Sequence, residues 1–311
     1  MTTNGIASAI DLGTNTILMV TGHLDAEGTL QVLDDAHAIA RLGRGVDAAG
    51  VIQDETAARV CGLLLSYRER AQSFGANTIR AFGTSALRDS ANKEAFVARV
   101  WRETRIELTE ILGHEEARLT FAGAAFGLDL PRCYAVLDIG GGSMELAAGC
   151  GGALTAYASV DIGAVRVTER CFPELPPTAA AIEKATHMIK HAFEGLFELP
   201  TACDAIVGVA GTVTTLGAID AGIERFDAEE LNGHYLDRYR VADLAATLMA
   251  RSLEEIISIP QVAEQRADII SAGALILRTF FDRYAFAGMT VSTRGIRYAL
   301  LNKMLSEADV A

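Results

Sequence analysis

The sequence lacks the features that would place it in several common classes of protein. It has few basic residues: 27 Lys and Arg stand against 40 Asp and Glu, and the formal net charge is −13 at pH 7. Non-specific binding to nucleic acid needs a basic footprint. No run of about 18 apolar residues is free of charge or glycine, so we expect no membrane span. No Lys or Arg precedes Arg41, whereas a signal peptide begins with a charged region. We therefore expect no nucleic-acid or membrane partner.

Cysteine and aromatic residues are also scarce. The five cysteines never form a C-x-x-C pattern, and this odd, scattered set predicts reduced thiols in a cytoplasmic protein. They are Cys61, Cys133, Cys150, Cys171 and Cys203. Only 6% of the residues are aromatic while 50% are hydrophobic, so the cores must consist largely of Ala, Leu, Ile and Val. A chain of 311 residues is long enough for about two domains.

Strand and helix patterns alternate along both halves, which indicates α/β domains with mixed sheets. Apolar periodicity predicts helices at residues 54–74, 178–197, 241–256, 263–284 and 295–306. Asp54 and Ser90 are the expected N-caps of two helices in the first half.

A glycine-rich stretch at residues 136–146 predicts a β-hairpin, because an apolar run enters it and an alternating apolar run leaves it. Glycine lacks a Cβ atom and tolerates positive φ, so successive N–H groups of the loop can face one concavity and bind an anion. The loop residues are Gly140, Gly141, Gly142 and Ser143. Asp138 and Glu145 flank the loop, and carboxylates beside a phosphate require a cation between them, which suggests Mg²⁺. The alternative is a tight hairpin whose acids face solvent.

The same design occurs near the N-terminus, where an apolar strand ends at Asp11 and a second apolar strand follows a short turn. The turn residues are Gly13, Thr14, Asn15 and Thr16. Their hydroxyl and amide groups add donors where the central hairpin has only glycine backbone. Residues 161–166 also follow the central hairpin in the way that residues 41–46 follow the first. This recurrence predicts a duplicated domain, with two phosphate hairpins facing each other across a cleft.

A third candidate phosphate seat lies at residues 205–216, where a strand and a glycine turn lead into a helix that begins near Gly211 and Thr212. Arginines in glycine- or hydroxyl-rich turns are further candidates, because guanidinium binds phosphate oxygens bidentately. They are Arg41, Arg44, Arg88, Arg166 and Arg297. Each of them could equally form a surface salt bridge. His187 and His191 fit a solvated helix face better than a metal site.

Hydrolysis of a phosphate chain also needs a group that orients water. Glu115 and Glu116 stand where a predicted strand ends and a helix begins, at the end of the first half of the chain. Acids at a helix start interact favourably with the macrodipole and need no catalytic explanation. Their position beside the predicted cleft is equally consistent with a catalytic base. The residues alone leave these two interpretations open.

Six motifs in this order resemble the exopolyphosphatase / guanosine pentaphosphate phosphohydrolase family, within the sugar-kinase, Hsp70 and actin superfamily. They are Asp11-Leu-Gly-Thr-Asn-Thr, Thr84-Ser-Ala-Leu-Arg-Asp, Gly113-His-Glu-Glu-Ala-Arg, Asp138-Ile-Gly-Gly-Gly-Ser-Met-Glu, Gly208-Val-Ala-Gly-Thr-Val-Thr-Thr and Ser292-Thr-Arg-Gly-Ile-Arg. The resemblance covers nearly the whole chain. It implies two ribonuclease-H-like domains, at residues 1–125 and 126–295, with the active site in the cleft between them. It also implies that the last helix, at residues 296–311, packs back on the first domain.

The resemblance implies Mg²⁺-dependent removal of the terminal phosphate from inorganic polyphosphate or from guanosine pentaphosphate. By analogy, Glu116 is the catalytic base, and Asp138 and Glu145 bind the metal; charge adds Asp11 as a third ligand. Arg88 joins the three phosphate loops as a binding residue. Met144 stands where the family often has Thr, which removes a hydroxyl beside the loop. Longer relatives carry an additional C-terminal helical domain, so either short polyphosphate chains or a nucleotide is the expected substrate here.

Two other functions remain open at this point. One is an actin-like or sugar-kinase ATPase, although nothing in the chain resembles a sugar pocket. The other is a non-catalytic sensor that binds an alarmone nucleotide and a protein partner. A homodimer remains an open possibility for the assembly.

Overall fold

The computed structural model describes residues 5–308, which form two α/β units. The first unit contains the described chain up to Leu119 and again from Ile296. The second unit is Thr120–Gly295. The predicted α/β class with mixed sheets is confirmed. The outermost residues of the predicted segments, 1–4 and 309–311, lie outside the described residues.

The strands and helices alternate in chain order in both units. The strands are β1 (Ala7–Leu12), β2 (Thr16–Leu24), β3 (Leu30–Ile39), β4 (Thr78–Gly83), β5 (Glu107–Glu110), β6 (Cys133–Ile139), β7 (Met144–Cys150), β8 (Ala153–Val160), β9 (Ala205–Val209), β10 (Tyr235–Asp237) and β11 (Gly288–Val291). The helices are α1 (Val46–Ala49), α2 (Asp54–Ser73), α3 (Ser85–Arg88), α4 (Lys93–Thr104), α5 (Gly113–Ala124), α6 (Ala164–Cys171), α7 (Ala179–Phe193), α8 (Ala210–Ala221), α9 (Ala228–Leu231), α10 (Arg238–Met249), α11 (Leu253–Ile257), α12 (Ile270–Arg283) and α13 (Ile296–Ala308).

The first unit is built on a five-stranded sheet in the order β3-β2-β1-β4-β5. Strands β1 to β3 form an antiparallel meander, and β4 and β5 add in parallel. Parallel neighbours need a crossover connection, which α2 and α4 provide. Ile10 and Leu12 of β1 are buried in a core with Leu64 of α2 and Phe96 of α4, and α13 packs against β1 and β2.

The second unit is built on a six-stranded sheet in the order β10-β11-β9-β6-β7-β8. Its larger core buries α12 along most of its length, together with Leu137 of β6 and Leu146 of β7. A smaller core on the other side contains Phe121 of α5 and Tyr134 of β6, whose stacked ring centroids lie 4.6 Å apart. The central hairpin is therefore held between two apolar layers. Among residues 5–308, no helix combines the length and apolar character that crossing a membrane requires.

Both predicted hairpins are confirmed, since β1 pairs with β2 and β6 with β7 in antiparallel register. The helix bounds in the second half differ from the prediction. The pattern at residues 241–256 is two helices, because Ser252 starts α11 with a capping box that includes Glu255. The pattern at residues 263–284 is a 3-10 turn at Glu264–Arg266 followed by α12.

Two predicted helix caps are wrong. The N-cap of α2 is Gln53, one residue before Asp54, and it makes no side-chain cap bond. The N-cap of α4 is Asn92. Ser90 instead donates its hydroxyl to the Ala86 carbonyl at 2.6 Å, so its side chain is committed to the preceding turn.

The prediction of reduced thiols throughout is also wrong. Cys133 and Cys150 stand directly opposite each other at the base of the β6–β7 hairpin, and they form a disulfide with Cα atoms 4.1 Å apart. Their separation of 17 residues in the sequence gives no sign of this pairing, because only the register of the two strands brings them together. Cys61, Cys171 and Cys203 are free and buried.

The disulfide should stabilise the second unit measurably. For its 17-residue separation, the chain-entropy model predicts a contribution of about 3 kcal/mol, which corresponds to a fall in Tm of roughly 5–10 °C on removal. We expect reduction with dithiothreitol, or the double variant Cys133→Ser with Cys150→Ser, to lower Tm by this amount in thermal unfolding. The control is that dithiothreitol has no further effect on the double variant. Titration of five thiols in the unreduced, denatured wild type would contradict the disulfide.

Candidate active site

The triple-glycine loop at the tip of the central hairpin is held from one side by the start of α6. The hydrogen bonds join Ala164 N to Gly140 O at 3.0 Å, Val165 N to Gly141 O at 2.9 Å and Arg166 Nε to Gly142 O at 2.8 Å. In a trans peptide, a carbonyl and the following N–H point in opposite directions. Three successive carbonyls face residues 164–166, so the three N–H groups that follow them, of Gly141, Gly142 and Ser143, face the other side.

These three N–H groups form a site that suits an anion. Within residues 5–308, none of the three donates to a backbone carbonyl. Successive N–H groups that face the same side make a concave nest, in which phosphate oxygens can accept several hydrogen bonds. Ser143, whose N–H is the third donor, is buried. The predicted phosphate loop thus has its donors oriented by the fold.

The N-terminal hairpin has a related construction. Gly13 N donates to Thr16 O at 3.0 Å, as Gly140 N does to Ser143 O at 3.1 Å. The following loop again binds the carbonyls of the turn: Gly43 N donates to Thr14 O at 2.8 Å, and Ala40 N and Arg41 N to Asn15 O at 2.9 Å. The predicted correspondence between the two following loops is therefore confirmed at the level of hydrogen bonds.

Two carboxylates lie together on the central hairpin but not on the first. Asp138 is directly opposite Glu145 in the β6–β7 register, and side chains of opposed residues share one face of a sheet. Glu145 is 2% exposed, and its Oε1 accepts a hydrogen bond from Ser159 Oγ at 2.8 Å. Asp11 is opposite Leu18. The two hairpins therefore differ in how many cation ligands they offer.

The Asp138 and Glu145 pair fits Mg²⁺ in one particular way. Within residues 5–308, no group of three or more His, Cys, Asp or Glu is arranged to hold a metal by itself. Mg²⁺ is usually bound by one or two carboxylates, with waters and substrate phosphates completing its octahedron. Two carboxylates that flank a loop with free-facing N–H donors match that pattern. Asp11 belongs to the other unit, and its predicted metal contact stays a prediction.

The third predicted seat, at the start of α8, includes an arginine that the sequence prediction missed. Gly211 approaches Arg266 so closely that a Cβ atom on it would lie 1.7 Å from Nη1. Ala210 has a positive φ of 66°, and Thr212 is buried. Burial lowers the pKa of Arg266 to about 10, which leaves it protonated at neutral pH. The sequence prediction placed Arg266 inside a helix; in the structure it lies in a turn at Glu264–Arg266.

Glu116 in the first turn of α5 is buried and paired. It is 7% exposed, and its Oε2 lies 2.5 Å from Arg88 Nη1. The same Nη1 also donates to the Ile111 carbonyl at 2.9 Å. Burial raises the pKa of Glu116, and the Arg88 guanidinium opposes that rise. A buried carboxylate with one cationic partner is a candidate for proton-transfer chemistry.

The neighbouring Glu115 has the opposite environment. Arg118 Nε and Nη2 bind its two oxygens at 2.7 and 2.8 Å, and Lys303 Nζ lies 3.4 Å from Oε1. The hydrogen bonds from Arg118 hold the pKa of Glu115 at about 2. Two neighbouring carboxyls whose environments push their pKa values apart can take different roles in acid–base chemistry. Glu115 is a partner for cations of the first unit, whereas Glu116 has the environment of a base.

The predicted site residues thus fall into two sets. The first unit holds Asp11, Gly13, Thr14, Asn15, Thr16, Arg88 and Glu116; the second holds Asp138, Gly140, Gly141, Gly142, Ser143, Glu145, Gly211 and Thr212. Their catalytic, phosphate-binding and metal-binding roles stay predictions. Of the other candidates, buried Arg297 forms a bidentate pair with half-buried Asp35 at 3.0 and 2.7 Å, and exposed His191 lies 3.3 Å from Glu194.

Comparison with known proteins points to one family. Residues 20–308 match the Ppx/GppA phosphatase family. The chain is 33% identical to exopolyphosphatase 2 of Mycobacterium tuberculosis, over 93% of this chain and 95% of that protein. It is 28% identical to guanosine-5'-triphosphate,3'-diphosphate pyrophosphatase of Photobacterium profundum, over 96% of this chain and 59% of that protein. The crystal structure of the Aquifex aeolicus Ppx/GppA family member superposes with a TM-score of 0.82 at 25% identity, covering 98% of this chain and 99% of the other.

The Arg88–Glu116 pair should control stability in a pH-dependent way. Arg88→Met leaves a buried carboxylate without its cation, which costs roughly 3–5 kcal/mol when the carboxylate is ionised. Burial raises the pKa of Glu116, so the protonated form is the better tolerated one, and stability is lost as pH rises through that raised pKa. Urea unfolding should therefore show a larger loss for Arg88→Met at pH 8 than at pH 5.

The matched controls for this prediction are a double variant and a second arginine. Arg88→Met combined with Glu116→Gln removes the charge and should recover most of the loss, with little pH dependence. Arg118→Met breaks the more exposed pair with Glu115 and should cost about 1 kcal/mol or less. Equal losses for Arg88→Met at both pH values would contradict the assignment.

Proposed function

This chain belongs to the Ppx/GppA phosphatase family, and we propose that it is an exopolyphosphatase that hydrolyses the terminal phosphate of inorganic polyphosphate. The family places it among hydrolases of phosphoanhydride bonds. The relative named exopolyphosphatase 2 aligns over nearly the full length of both chains. The structural observation that carries the proposal is the triple-glycine loop, whose three N–H groups face the same side and whose flanking residues Asp138 and Glu145 are paired across the hairpin.

In the proposed reaction, this loop binds the phosphates at the end of the chain through its N–H groups. Asp138 and Glu145 would hold Mg²⁺, which supplies charge neutralisation for the phosphate oxygens. Ser159 keeps Glu145 in place through its hydrogen bond to Oε1. The start of α8, with Gly211, adds helix N–H donors for a further phosphate.

Glu116 is the proposed base. Its carboxylate accepts a hydrogen bond from the attacking water and orients the water oxygen towards the terminal phosphorus. The water oxygen forms a bond to the terminal phosphorus and gives a proton to Glu116, while the bond from phosphorus to the bridging oxygen breaks. Orthophosphate is released, and the shortened polyphosphate leaves with the negative charge on the former bridging oxygen. Arg88 favours the ionised form of Glu116, because its guanidinium opposes the rise in pKa that burial causes. Glu115 is excluded from this role because Arg118 and Lys303 occupy its oxygens.

A second candidate substrate is guanosine pentaphosphate. One relative with 28% identity over 96% of this chain is named as a pyrophosphatase of guanosine 5'-triphosphate 3'-diphosphate. That molecule also presents a terminal phosphoanhydride, so the same loops and the same base serve both reactions. The difference between them concerns what lies beyond the terminal phosphates, not the chemistry at phosphorus.

The first experiment compares phosphate release from tripolyphosphate, long-chain polyphosphate, guanosine pentaphosphate and ATP in the presence of Mg²⁺. We expect tripolyphosphate to be the best of the four. Glu116→Gln should lower kcat by roughly 10²–10⁴-fold, the usual contribution of a general base, and should leave substrate binding intact. Glu115→Gln, the matched control, should stay close to wild type. Near-normal turnover by Glu116→Gln would overturn the base assignment, and release from guanosine pentaphosphate alone would favour the second substrate.

The metal assignment has its own test. We expect EDTA to abolish phosphate release and Mg²⁺ to restore it. Asp138→Asn and Glu145→Gln should weaken Mg²⁺ binding in calorimetry without lowering Tm. Ser159→Ala removes only the partner of a ligand, for which a loss of about tenfold in metal affinity is typical. Unchanged Mg²⁺ affinity in both carboxylate variants would show that the ion binds elsewhere.

A further inference from the structure

Arg166, in the first turn of α6, binds the triple-glycine loop through its side chain as well as through its backbone. Its Nε donates to Gly142 O at 2.8 Å, and its own backbone N donates to Gly141 O at 3.1 Å. The residue is 9% exposed. The Nε contact joins this side chain to the carbonyl of the last of the three glycines.

The peptide between Gly142 and Ser143 needs such a contact for a physical reason. Glycine occupies positive and negative φ almost equally, so peptide planes in a glycine loop turn over at little cost. The Gly142 carbonyl and the Ser143 N–H belong to one peptide and point in opposite directions. A turned-over peptide would therefore present a carbonyl oxygen to the anion in place of a donor. The other two peptides of the loop are held by backbone N–H groups, but this one is held by Arg166.

We propose that Arg166 is a positioning residue for phosphate binding, whose Nε–H holds the Gly142–Ser143 peptide so that the Ser143 N–H faces the phosphate. The inference rests on the proposed function in one respect, that this loop binds phosphate. Close packing supports it: a Cβ atom on Gly163 would lie 2.4 Å from both C and O of Gly141. The loop and the start of α6 therefore fit together without spare room, and neither can shift alone.

Three substitutions of Arg166 test whether it acts by holding the Gly142–Ser143 peptide or by the attraction of its charge for phosphate. Gln carries its amide nitrogen the same number of bonds from Cα as Arg Nε, so Arg166→Gln retains a donor there without the charge. Met has a similar length and no donor, and Lys retains a charge but has a methylene group in place of Nε. We expect kcat/KM for tripolyphosphate to stay within about threefold in Arg166→Gln. It should fall roughly tenfold or more in Arg166→Met and Arg166→Lys, as for other lost oriented donors.

Binding of tripolyphosphate in the absence of Mg²⁺, measured by calorimetry, gives a readout that does not depend on turnover. The dissociation constant should rise in Arg166→Met and Arg166→Lys and stay close to wild type in Arg166→Gln, with similar Tm values for all three. Gly163→Ala should weaken binding as well, because the added Cβ would displace the loop. Gly62→Ala is the matched control, since a Cβ at that exposed helix position meets nothing within 4 Å.

The outcomes distinguish this inference from the proposed function. The opposite order, with Lys close to wild type and Gln weak, would show that Arg166 acts by its charge and would overturn positioning. Wild-type affinity in Arg166→Met would overturn it as well. If the wild type binds tripolyphosphate and the variants show the expected order of affinity, but the wild type releases no phosphate, the inference stands and the proposed hydrolysis fails. A wild type that binds no tripolyphosphate would overturn both.

Discussion

Hydrogen bonds to the outward carbonyls of the triple-glycine loop are the interaction on which the rest of the candidate site depends. Glycine gives the loop its freedom, and the same freedom would let it turn carbonyl oxygens towards an anion. The first turn of α6 removes that freedom by binding the carbonyls of Gly140, Gly141 and Gly142 from behind. The side of the loop that its N–H groups face is thus determined by contacts on its other side. Apolar layers on both faces of the β6–β7 hairpin keep the whole arrangement in place.

The two hairpins share a turn and differ in chemistry. Both close with the same backbone hydrogen bond, from Gly13 to Thr16 and from Gly140 to Ser143, and both are backed by the loop that follows. The first hairpin adds hydroxyl and amide groups and has a single carboxylate, because Leu18 stands opposite Asp11. The second has bare backbone donors and two carboxylates. The two hairpins therefore share their backbone geometry and differ in the donors and carboxylates that they offer.

The features that sequence predicts well here are those encoded locally. Alternating apolar residues around a glycine turn predict both hairpins, and the register then follows because the turn fixes it. The Arg88–Glu116 pair was missed because it joins a short helix to the start of α5, residues that are far apart in the chain. The Cys133–Cys150 disulfide lies within a predicted hairpin; it was missed because the prediction rested on the number and spacing of the cysteines and not on the hairpin register. Arg266 was missed because an apolar pattern that begins at residue 263 predicts helix, while the chain there forms a 3-10 turn first.

The disulfide at the base of the central hairpin has a further consequence. Cys133 and Cys150 close a covalent ring that contains both strands and the whole triple-glycine loop. Cleavage of one peptide bond within this ring would leave the two fragments of the chain joined through sulfur. Both strands would also stay in the sheet, since β6 pairs with β9 and β7 with β8. The backbone of the second unit can therefore be interrupted at its loop without the molecule coming apart, as long as the cysteines stay oxidised.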